Sequence, residues 1–302
     1  MKDKKAKKYL ALLAFLAVAA IVLTGGWFAW VYAASERYLA DVAPGPAFDY
    51  PVSTDPAVIE RGRHVARTRG CFGCHGQQLQ GRSFAEEWPE VGVAVAPNLA
   101  KLAREQEPAV LEAAIRQGIG HQGKALWSMP AYNFVHLGDE DVAAVISFLR
   151  SAPVVEADLP EPGLSWGVRI EMSRGTAQHM ADWAEAVPPL LLGPDADPQL
   201  RRGQYIAFTT CNECHGFDLR GSPDLNGTPD LAILGGYPDE PFRTLMQHGE
   251  GIGGRTDLGL MTEVAQGRFA YFTEDELTDL LAFLRTLPGY PADREAAWRN
   301  LR

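Results

Sequence analysis

A Cys-x-x-Cys-His motif occurs twice in this chain and restricts its fold more than any other feature. The segment Cys71–His75 recurs 140 residues later as Cys211–His215, and the two copies hold all four cysteines. No cysteine is therefore left for a disulfide framework. The surrounding residues repeat too: Arg61-Gly62 as Arg202-Gly203, Leu79 and Gly81 as Leu219 and Gly221, and Pro97-Asn98-Leu99 as Pro229-Asp230-Leu231. The chain is thus predicted to contain two related units, each organised around one motif.

Each unit ends in a segment whose apolar residues fall at i, i+3, i+4 and i+7, which makes one face of an amphipathic helix. These residues are Val142, Val145, Ile146 and Leu149 in the first unit, and Leu277, Leu280, Leu281 and Leu284 in the second. Thr273 and Glu276 predict a capping box for the second helix, and Asp139 is expected to cap the first. No window shows strand alternation, so both units are predicted to be mainly helical.

The repeated motif is the attachment signature for c-type haem. Thiols three positions apart lie on one side of a helical turn, where they can bond the two haem vinyl groups while the histidine faces the iron. Cysteine pairs of this spacing also serve zinc sites and redox disulfides. A zinc ribbon needs its pairs about 15–20 residues apart, whereas 136 residues separate Cys74 from Cys211. We therefore expect two covalently bound haem c, with thioethers from Cys71, Cys74, Cys211 and Cys214 and iron ligands from His75 and His215.

Two methionines are the candidates for the second axial ligand of each iron. Met129 lies 58 residues after Cys71, and Met261 lies 50 residues after Cys211, each ahead of a closing helix. A thioether opposite histidine raises the reduction potential, as a carrier that feeds an oxidase needs. Rival ligands remain open, namely His121 in the first unit and Met246 and His248 in the second. Packing, surface or capping roles are expected for Met172, Met180, His64, His136 and His179.

The N-terminal segment predicts a membrane anchor. Residues 10–32 carry no charge, and as a helix they would span about 35 Å, enough to cross the hydrocarbon core. Five lysines precede them, which predicts a cytoplasmic N-terminus and places the residues after about Ser35 outside the cytoplasm. A cleavable signal peptide is the alternative, because Val31-Tyr32-Ala33 resembles a cleavage site. Its apolar stretch would be about 7–15 residues, so an uncleaved anchor is favoured.

The charge of the chain is unevenly distributed. Residues 1–34 carry +4 and the whole chain carries −10, so the remainder carries about −14. An acidic domain is a poor candidate for nucleic-acid binding, which needs clusters of Lys and Arg. It suits a partner with a basic docking patch, because opposite potentials steer association. Acidity that serves only solubility is the alternative.

With these residues in hand, the chain resembles the class I cytochromes c, especially the mono- and dihaem cytochromes that serve membrane-bound dehydrogenases or terminal oxidases. The resemblance rests on both haem motifs and on Met129-Pro130-Ala131-Tyr132 followed by Asp139–Arg150. It implies a mainly α fold with two tandem class I cytochrome c domains after an N-terminal transmembrane helix. The expected ranges are 1–34 for the cytoplasmic stub and anchor, 55–152 and 198–290 for the domains, 153–197 for a packed linker and 291–302 for a tail.

The resemblance also implies roles for a proline and a glycine in each unit. The carbonyls of Pro97 and Pro229 should accept the imidazole proton of the proximal histidine. Gly62 and Gly203 should let the first helix of each unit approach its closing helix. Gly62 lies nine residues before its cysteine and Gly203 eight, so an extra residue is expected in the first unit. Thr262 follows Met261 where the first unit has a proline, which departs from the family pattern.

The expected function is electron transfer rather than catalysis. The donor would be a dehydrogenase or a quinol-oxidising complex, and the acceptor an oxidase or another cytochrome. A single-pass protein of the cytoplasmic membrane is expected, with both haem domains on the extracytoplasmic side. The alternatives are a fixed haem subunit of a dehydrogenase or oxidase complex, and a dihaem enzyme of the peroxidase or thiosulfate-oxidising type. The enzyme would need an open axial position on one iron.

Overall fold

The computed structural model describes residues 2–45, 47–221 and 227–289, so the predicted tail 291–302 lies outside the described residues. The described helices are α1 (Lys2–Ala40), α2 (Pro56–Thr68), α3 (Cys71–His75), α4 (Leu99–Glu105), α5 (Pro108–Glu112), α6 (Asp139–Ser151), α7 (Trp166–Arg174), α8 (Met180–Glu185), α9 (Pro198–Phe208), α10 (Asn212–His215), α11 (Asp239–His248), α12 (Leu260–Gly267) and α13 (Glu274–Leu284). A π turn covers Ala113–Gln117, and 3₁₀ turns cover Ala131–Phe134, Leu231–Gly236, Phe269–Tyr271 and Leu287–Gly289.

Strands are few and short in the described ranges. They are β1 (Arg82–Ser83), β2 (Gly92–Val93), β3 (Val95–Ala96) and β4 (Gly163–Leu164). β1 pairs with β3 inside the first unit, and β2 pairs with β4, both antiparallel. The prediction of a mainly helical fold with two tandem units after an N-terminal apolar helix is confirmed.

The first and last helices of each unit cross at a glycine. α2 packs on α6, and α9 packs on α13. A side chain at Gly62 would overlap the carbonyl oxygen of Ala144, and one at Gly203 would overlap that of Asp279. The expected close approach is therefore confirmed, with backbone carbonyls as the facing groups. Each crossing closes one hydrophobic core, which contains Val65, Phe72, Leu79, Ile146 and Leu149 in the first unit and Ile206, Leu219, Phe242, Leu280 and Phe283 in the second.

The two closing helices begin differently. α13 has the predicted capping box, in which Thr273 Oγ1 accepts from the backbone of Glu276 and the Glu276 side chain accepts from the backbone of Thr273. The expected Asp139 cap of α6 is wrong. Gly138 occupies the N-cap position without a side-chain bond, and Asp139 is the first helical residue. Its carboxylate instead forms an ion pair with Arg116 at 2.7 Å.

The two units pack against each other through equivalent surfaces. His64 and Tyr205 each lie two residues after the crossing glycine, and each reaches the start of the other unit's closing helix. His64 Nε2 lies 2.9 Å from both carboxylate oxygens of Glu276, and the Tyr205 hydroxyl donates to Asp141. Because each contact is repeated with the units exchanged, the interface has approximate two-fold symmetry, as in an isologous dimer.

Arg69 lies at this interface and is the expected extra residue. The second unit has a single residue, Thr210, where the first has Arg69-Gly70 between a threonine and a cysteine. Arg69 is buried, at 4% exposure. Its Nη1 donates to Thr68 Oγ1 at 2.9 Å and its Nε to Thr209 Oγ1 at 3.2 Å. Arg69 thus joins the two equivalent threonines across the interface.

The linker packs along both units, as its tryptophans suggested. It forms α7, α8 and the short strand β4. The ring of Trp183 lies 5.6 Å from that of Tyr132 in the first unit and 6.3 Å from that of Phe217 in the second. His136 Nε2 lies 2.9 Å from the carbonyl oxygen of Pro188. These contacts hold the units and the linker together.

The anchor helix continues past the predicted boundary at residue 34 and docks on the linker. Residues 7–40 are long and apolar enough to cross a membrane, and their most apolar window is not buried in the protein. Arg169 of α7 donates to Ser35 Oγ at 2.8 Å and to Glu36 Oε1 at 2.9 Å. Trp166 packs edge to face on Phe28 with the ring centroids 4.9 Å apart. The end of the anchor is therefore part of the folded structure.

Candidate functional site

The two motifs lie at equivalent places, each at the end of the first helix of its unit. Cys71–His75 forms α3, and Cys211 precedes α10. The chain then turns back through the left-handed residues Leu79 (φ 60°) and Leu219 (φ 59°). Such a conformation is unfavourable for leucine, but both side chains are buried in their cores. The carbonyl of Leu79 accepts from the backbone N–H of Leu99, and that of Leu219 from the backbone N–H of Leu231, both at 2.9 Å.

This turn brings each proline carbonyl to its histidine. Nδ1 of His75 lies 2.8 Å from the carbonyl oxygen of Pro97, and Nδ1 of His215 lies 2.8 Å from that of Pro229. A carbonyl can only accept, so Nδ1 carries the proton and the lone pair is on Nε2. Burial lowers the pKa of both histidines, although the bond to proline opposes this effect. A neutral imidazole with a fixed orientation and a free Nε2 lone pair is the form that ligates a metal.

The cysteines lack the features of zinc or redox sites. No disulfide joins any of the four. Burial raises the pKa of Cys71 to about 11, of Cys211 to about 12 and of Cys214 to about 11. Redox-active thiols have lowered pKa values instead. Within the described residues, no three side chains of His, Cys, Asp or Glu form a group able to hold a metal ion.

The predicted methionine ligands border the cores that contain the motifs. Met129 is partly buried against the first core, and Met261 against the second. Met129 lies in a loop whose next residues form the turn Ala131–Phe134, whereas Met261 lies in the first turn of α12. Thr262, in the place of the proline, anchors that turn because its hydroxyl oxygen lies 3.2 Å from the carbonyl oxygens of Gly249 and Thr256, either of which can accept its proton.

The rival ligands differ in their exposure to solvent. His121 and His248 are exposed, and Met246 is buried in the second core at 3% exposure. Of the histidines expected at the surface or at helix ends, His179 caps α8 through a capping box with Asp182. His64 lies at the interface between the units. Its partner Glu276 is distant in the sequence, so no local pattern could have revealed this pair.

Buried polar groups also fit a bound cofactor. Among the described residues, the amides of Asn133 and Asn212 have no hydrogen-bond partner, although the two residues are 0% and 2% exposed. Such groups are costly unless something satisfies them. The turn that holds Asn133 contacts α10, which begins at Asn212. Unpaired amides beside a haem motif suit a group that carries carboxylates, as haem c does.

A charged pair that the sequence did not reveal lies between the two motifs. Arg268 Nη1 donates to Glu213 Oε2 at 2.9 Å, and the side chains are 19% and 24% exposed. Glu213 belongs to the second motif. A side chain at Gly70, just before the first motif, would overlap the Arg268 guanidinium, and Nη2 lies 3.8 Å from the position of a Cβ at Gly73. The two haem motifs therefore face each other across this pair.

Comparison with known proteins agrees with this geometry. The sequence model of the cytochrome c family matches residues 59–153 and 200–288, one stretch in each unit. The chain belongs to the cytochrome c family. Cytochrome c domains bind haem c through the motif found here, and the fit of the histidines, thiols and buried amides agrees with that cofactor.

Curated relatives among the cytochromes c are subunits of larger enzymes. The chain is 26% identical, over 82% of its length, to the cytochrome c subunit of a quinone alcohol dehydrogenase from Gluconacetobacter polyoxogenes. It is 25% identical over 87% to the corresponding subunit from Gluconobacter oxydans. It is 23% identical over 79% to the gluconate 2-dehydrogenase cytochrome c subunit of Pantoea cypripedii. The chain spans 59–61% of the length of these relatives.

Proposed function

We propose that this cytochrome c carries two haem c groups and transfers electrons from a membrane-bound dehydrogenase toward an acceptor of the respiratory chain. The observation that carries the proposal is the repeated site, in which each Cys-x-x-Cys-His motif has its histidine bonded to a proline carbonyl at 2.8 Å. Bound haem c supplies one-electron exchange at its iron. The proposed domains are 55–152 and 198–290, each with one haem.

The residues of the chain would hold and tune this cofactor. Cys71, Cys74, Cys211 and Cys214 would provide the thioether bonds, and His75, Met129, His215 and Met261 the axial ligands. The carbonyls of Pro97 and Pro229 orient the imidazoles and increase the electron density on Nε2. A methionine ligand favours the reduced iron and raises its potential. With both axial positions taken by protein, substrate would have no access to either iron, which favours a carrier over an enzyme.

The N-terminal helix supports a single-pass location in the cytoplasmic membrane with the haem units outside. The lysines before the span favour a cytoplasmic N-terminus. Covalent haem attachment through paired thiols also suits an extracytoplasmic domain. Anchoring raises the effective concentration of the carrier near membrane-bound partners.

Docking of the anchor favours a fixed subunit over a mobile shuttle. A shuttle on a flexible tether could turn either haem toward its partner, whereas the contacts of Arg169 and Trp166 with α1 restrict this motion. The relatives are named as cytochrome c subunits of dehydrogenases. We therefore propose a dehydrogenase as the electron donor. Mild detergent extraction should recover the chain in a complex with such an enzyme, whereas a shuttle would be recovered alone.

Covalent haem content per chain tests the central proposal. The full chain is expressed in cells that mature c-type cytochromes, and haem is measured after denaturation together with a reduced-minus-oxidised spectrum. Two covalent haems with low-spin, six-coordinate iron are expected. The double variants Cys71→Ala/Cys74→Ala and Cys211→Ala/Cys214→Ala should each retain one haem. One high-spin iron would support the enzyme alternative, and absence of covalent haem would refute the proposal.

A further inference from the structure

One pair of equivalent positions beside the motifs is neutral in the first unit and charged in the second. Counting back from the equivalent residues Val142 and Leu277, Phe134 corresponds to Phe269 and Asn133 to Arg268. Both phenylalanines are buried in their own cores, so the neighbouring positions face similar surroundings. The first unit therefore presents a neutral amide toward the second motif, whereas the second unit presents a guanidinium toward the first.

The guanidinium of Arg268 contacts the first motif, whereas Glu213 is itself a residue of the second motif. The guanidinium lies against Gly70 and Gly73 of the first unit. The carboxylate belongs to the residue between Cys211 and Cys214 of the second. Both side chains are mostly buried, at 19% and 24% exposure. Solvent and salt therefore screen this pair less than a surface pair.

The direction of such a pair determines its effect on two redox centres. A nearby positive charge favours the state with one more electron, and a nearby negative charge favours the oxidised state. The positive end here faces the first motif and the negative end lies in the second. The pair therefore acts with opposite signs on the two units.

We propose that the Arg268–Glu213 pair separates the two haem potentials, raising that of the first unit and lowering that of the second, and so directs electrons from the second unit to the first. The inference rests on the proposed function. In the step concerned, one electron passes between the units; the iron of the second is oxidised and that of the first is reduced, without a change in bonds or protons. Arg268 and Glu213 are positioning and tuning residues, not ligands.

Two variants, one without the positive charge and one without the negative charge, test this inference. The full-length holoprotein is titrated by spectroelectrochemistry in detergent, as Arg268→Gln and as Glu213→Gln. Arg268→Gln should lower the potential of the first haem most, and Glu213→Gln should raise that of the second haem most. Met129→His, which changes the ligand of the first iron alone, assigns the two potentials. A purely structural role would instead shift both variants in the same direction, because both break the same contact.

Matched variants separate charge from folding. Arg268→Lys keeps the charge and should preserve the order of the potentials even if the contact is weakened. Arg243→Gln removes an arginine from a pair with Glu274 at 2.8 Å in the same unit, away from the motifs, and should change neither potential. If Arg268→Gln does not accumulate, Glu213→Gln and Arg268→Lys still decide the question. Unchanged potentials in Glu213→Gln, or a loss of order in Arg268→Lys, would overturn the inference.

Haem content shows whether a negative result contradicts only this inference or also the proposed function. If the unmodified chain holds two haems and the variants leave their potentials unchanged, the inference fails and the proposed function stands. If the unmodified chain holds no covalent haem, the proposed function itself fails.

Discussion

Substituting Gly203 by alanine should destabilise the second unit, although alanine is the better helix former. Gly203 lies inside α9, where this exchange alone would gain about 1 kcal/mol. A Cβ there would overlap the carbonyl oxygen of Asp279 and lie 2.7 Å from the Cβ of Phe283. Neither group can rotate away, because one is backbone and the other is the fully buried start of a core side chain. α9 and α13 must therefore separate.

The expected size follows from the two opposing effects. Overpacking a well-packed contact costs about 1–3 kcal/mol, and here backbone as well as side chain must move, so the upper end applies. After subtracting the helix-propensity gain, Gly203→Ala should reduce the free energy of unfolding by about 2 kcal/mol. For a unit of this size that corresponds to a fall in Tm of roughly 8–16 °C.

Calorimetry and circular dichroism of the full chain in detergent measure this change. Gly167→Ala is the matched control, because Gly167 is also helical and its Cβ would meet only Ser165 Oγ, at 3.6 Å. That variant should be neutral or slightly stabilising. If Gly203→Ala behaves like Gly167→Ala, the helices do not cross as closely as described and the reasoning is refuted.

Three further predictions concern the ligands and the interface. Met129→Leu preserves volume but not the thioether, so it should lower or abolish the high-potential signal of the first haem in a redox titration, whereas Met246→Leu should leave both potentials unchanged. Burial raises the pKa of Glu276, but the hydrogen bond from the His64 ring and the one from the helix cap outweigh it, so that its pKa lies below the ordinary 4.5. Its ionised form therefore stabilises the fold above that pH and the stabilisation is lost as the pH falls below it; acid unfolding of Glu276→Gln should show a weaker pH dependence there. Arg69→Met removes charged donors and should destabilise the interface by about 1.5–3 kcal/mol, seen as faster hydrogen exchange in α9; unchanged exchange would contradict this role.

Local patterns in the sequence predicted what lies within one unit. The spacing of Leu277 and its apolar neighbours identified α13, and Thr273 with Glu276 identified its cap. The close approach at Gly62 and Gly203 was implied by the resemblance to the class I cytochromes c. Asp139 failed as a cap because Arg116, distant in the sequence, binds its carboxylate instead. Short-range rules do not include such competition from tertiary contacts.

The interface could not be read from the sequence, because its contacts join residues that are far apart in the chain. His64 resembled a surface histidine until docking brought it to Glu276. Arg268 is one of many arginines, and only the fold places it beside both motifs. The one available signal was the extra residue before Cys71, which Arg69 turned out to provide. An extra residue that is present in only one copy of a repeat can therefore mark a contact between the two copies.

The docked end of α1 attaches the folded units to the apolar part of this helix. It also sets their distance from that part and their rotation about the helix axis. From residue 33 to Ala40 the helix rises about 12 Å beyond its apolar span, and the backbone of Ala125 donates to the carbonyl of Leu39 at 2.7 Å within the first unit. Each residue of a helix also turns it by about 100°. One inserted residue between Phe28 and Leu39 would therefore rotate the folded units by more than a quarter turn about the helix axis. In the proposed membrane location, the length of this helix would determine which face of the cytochrome meets its neighbours in the bilayer.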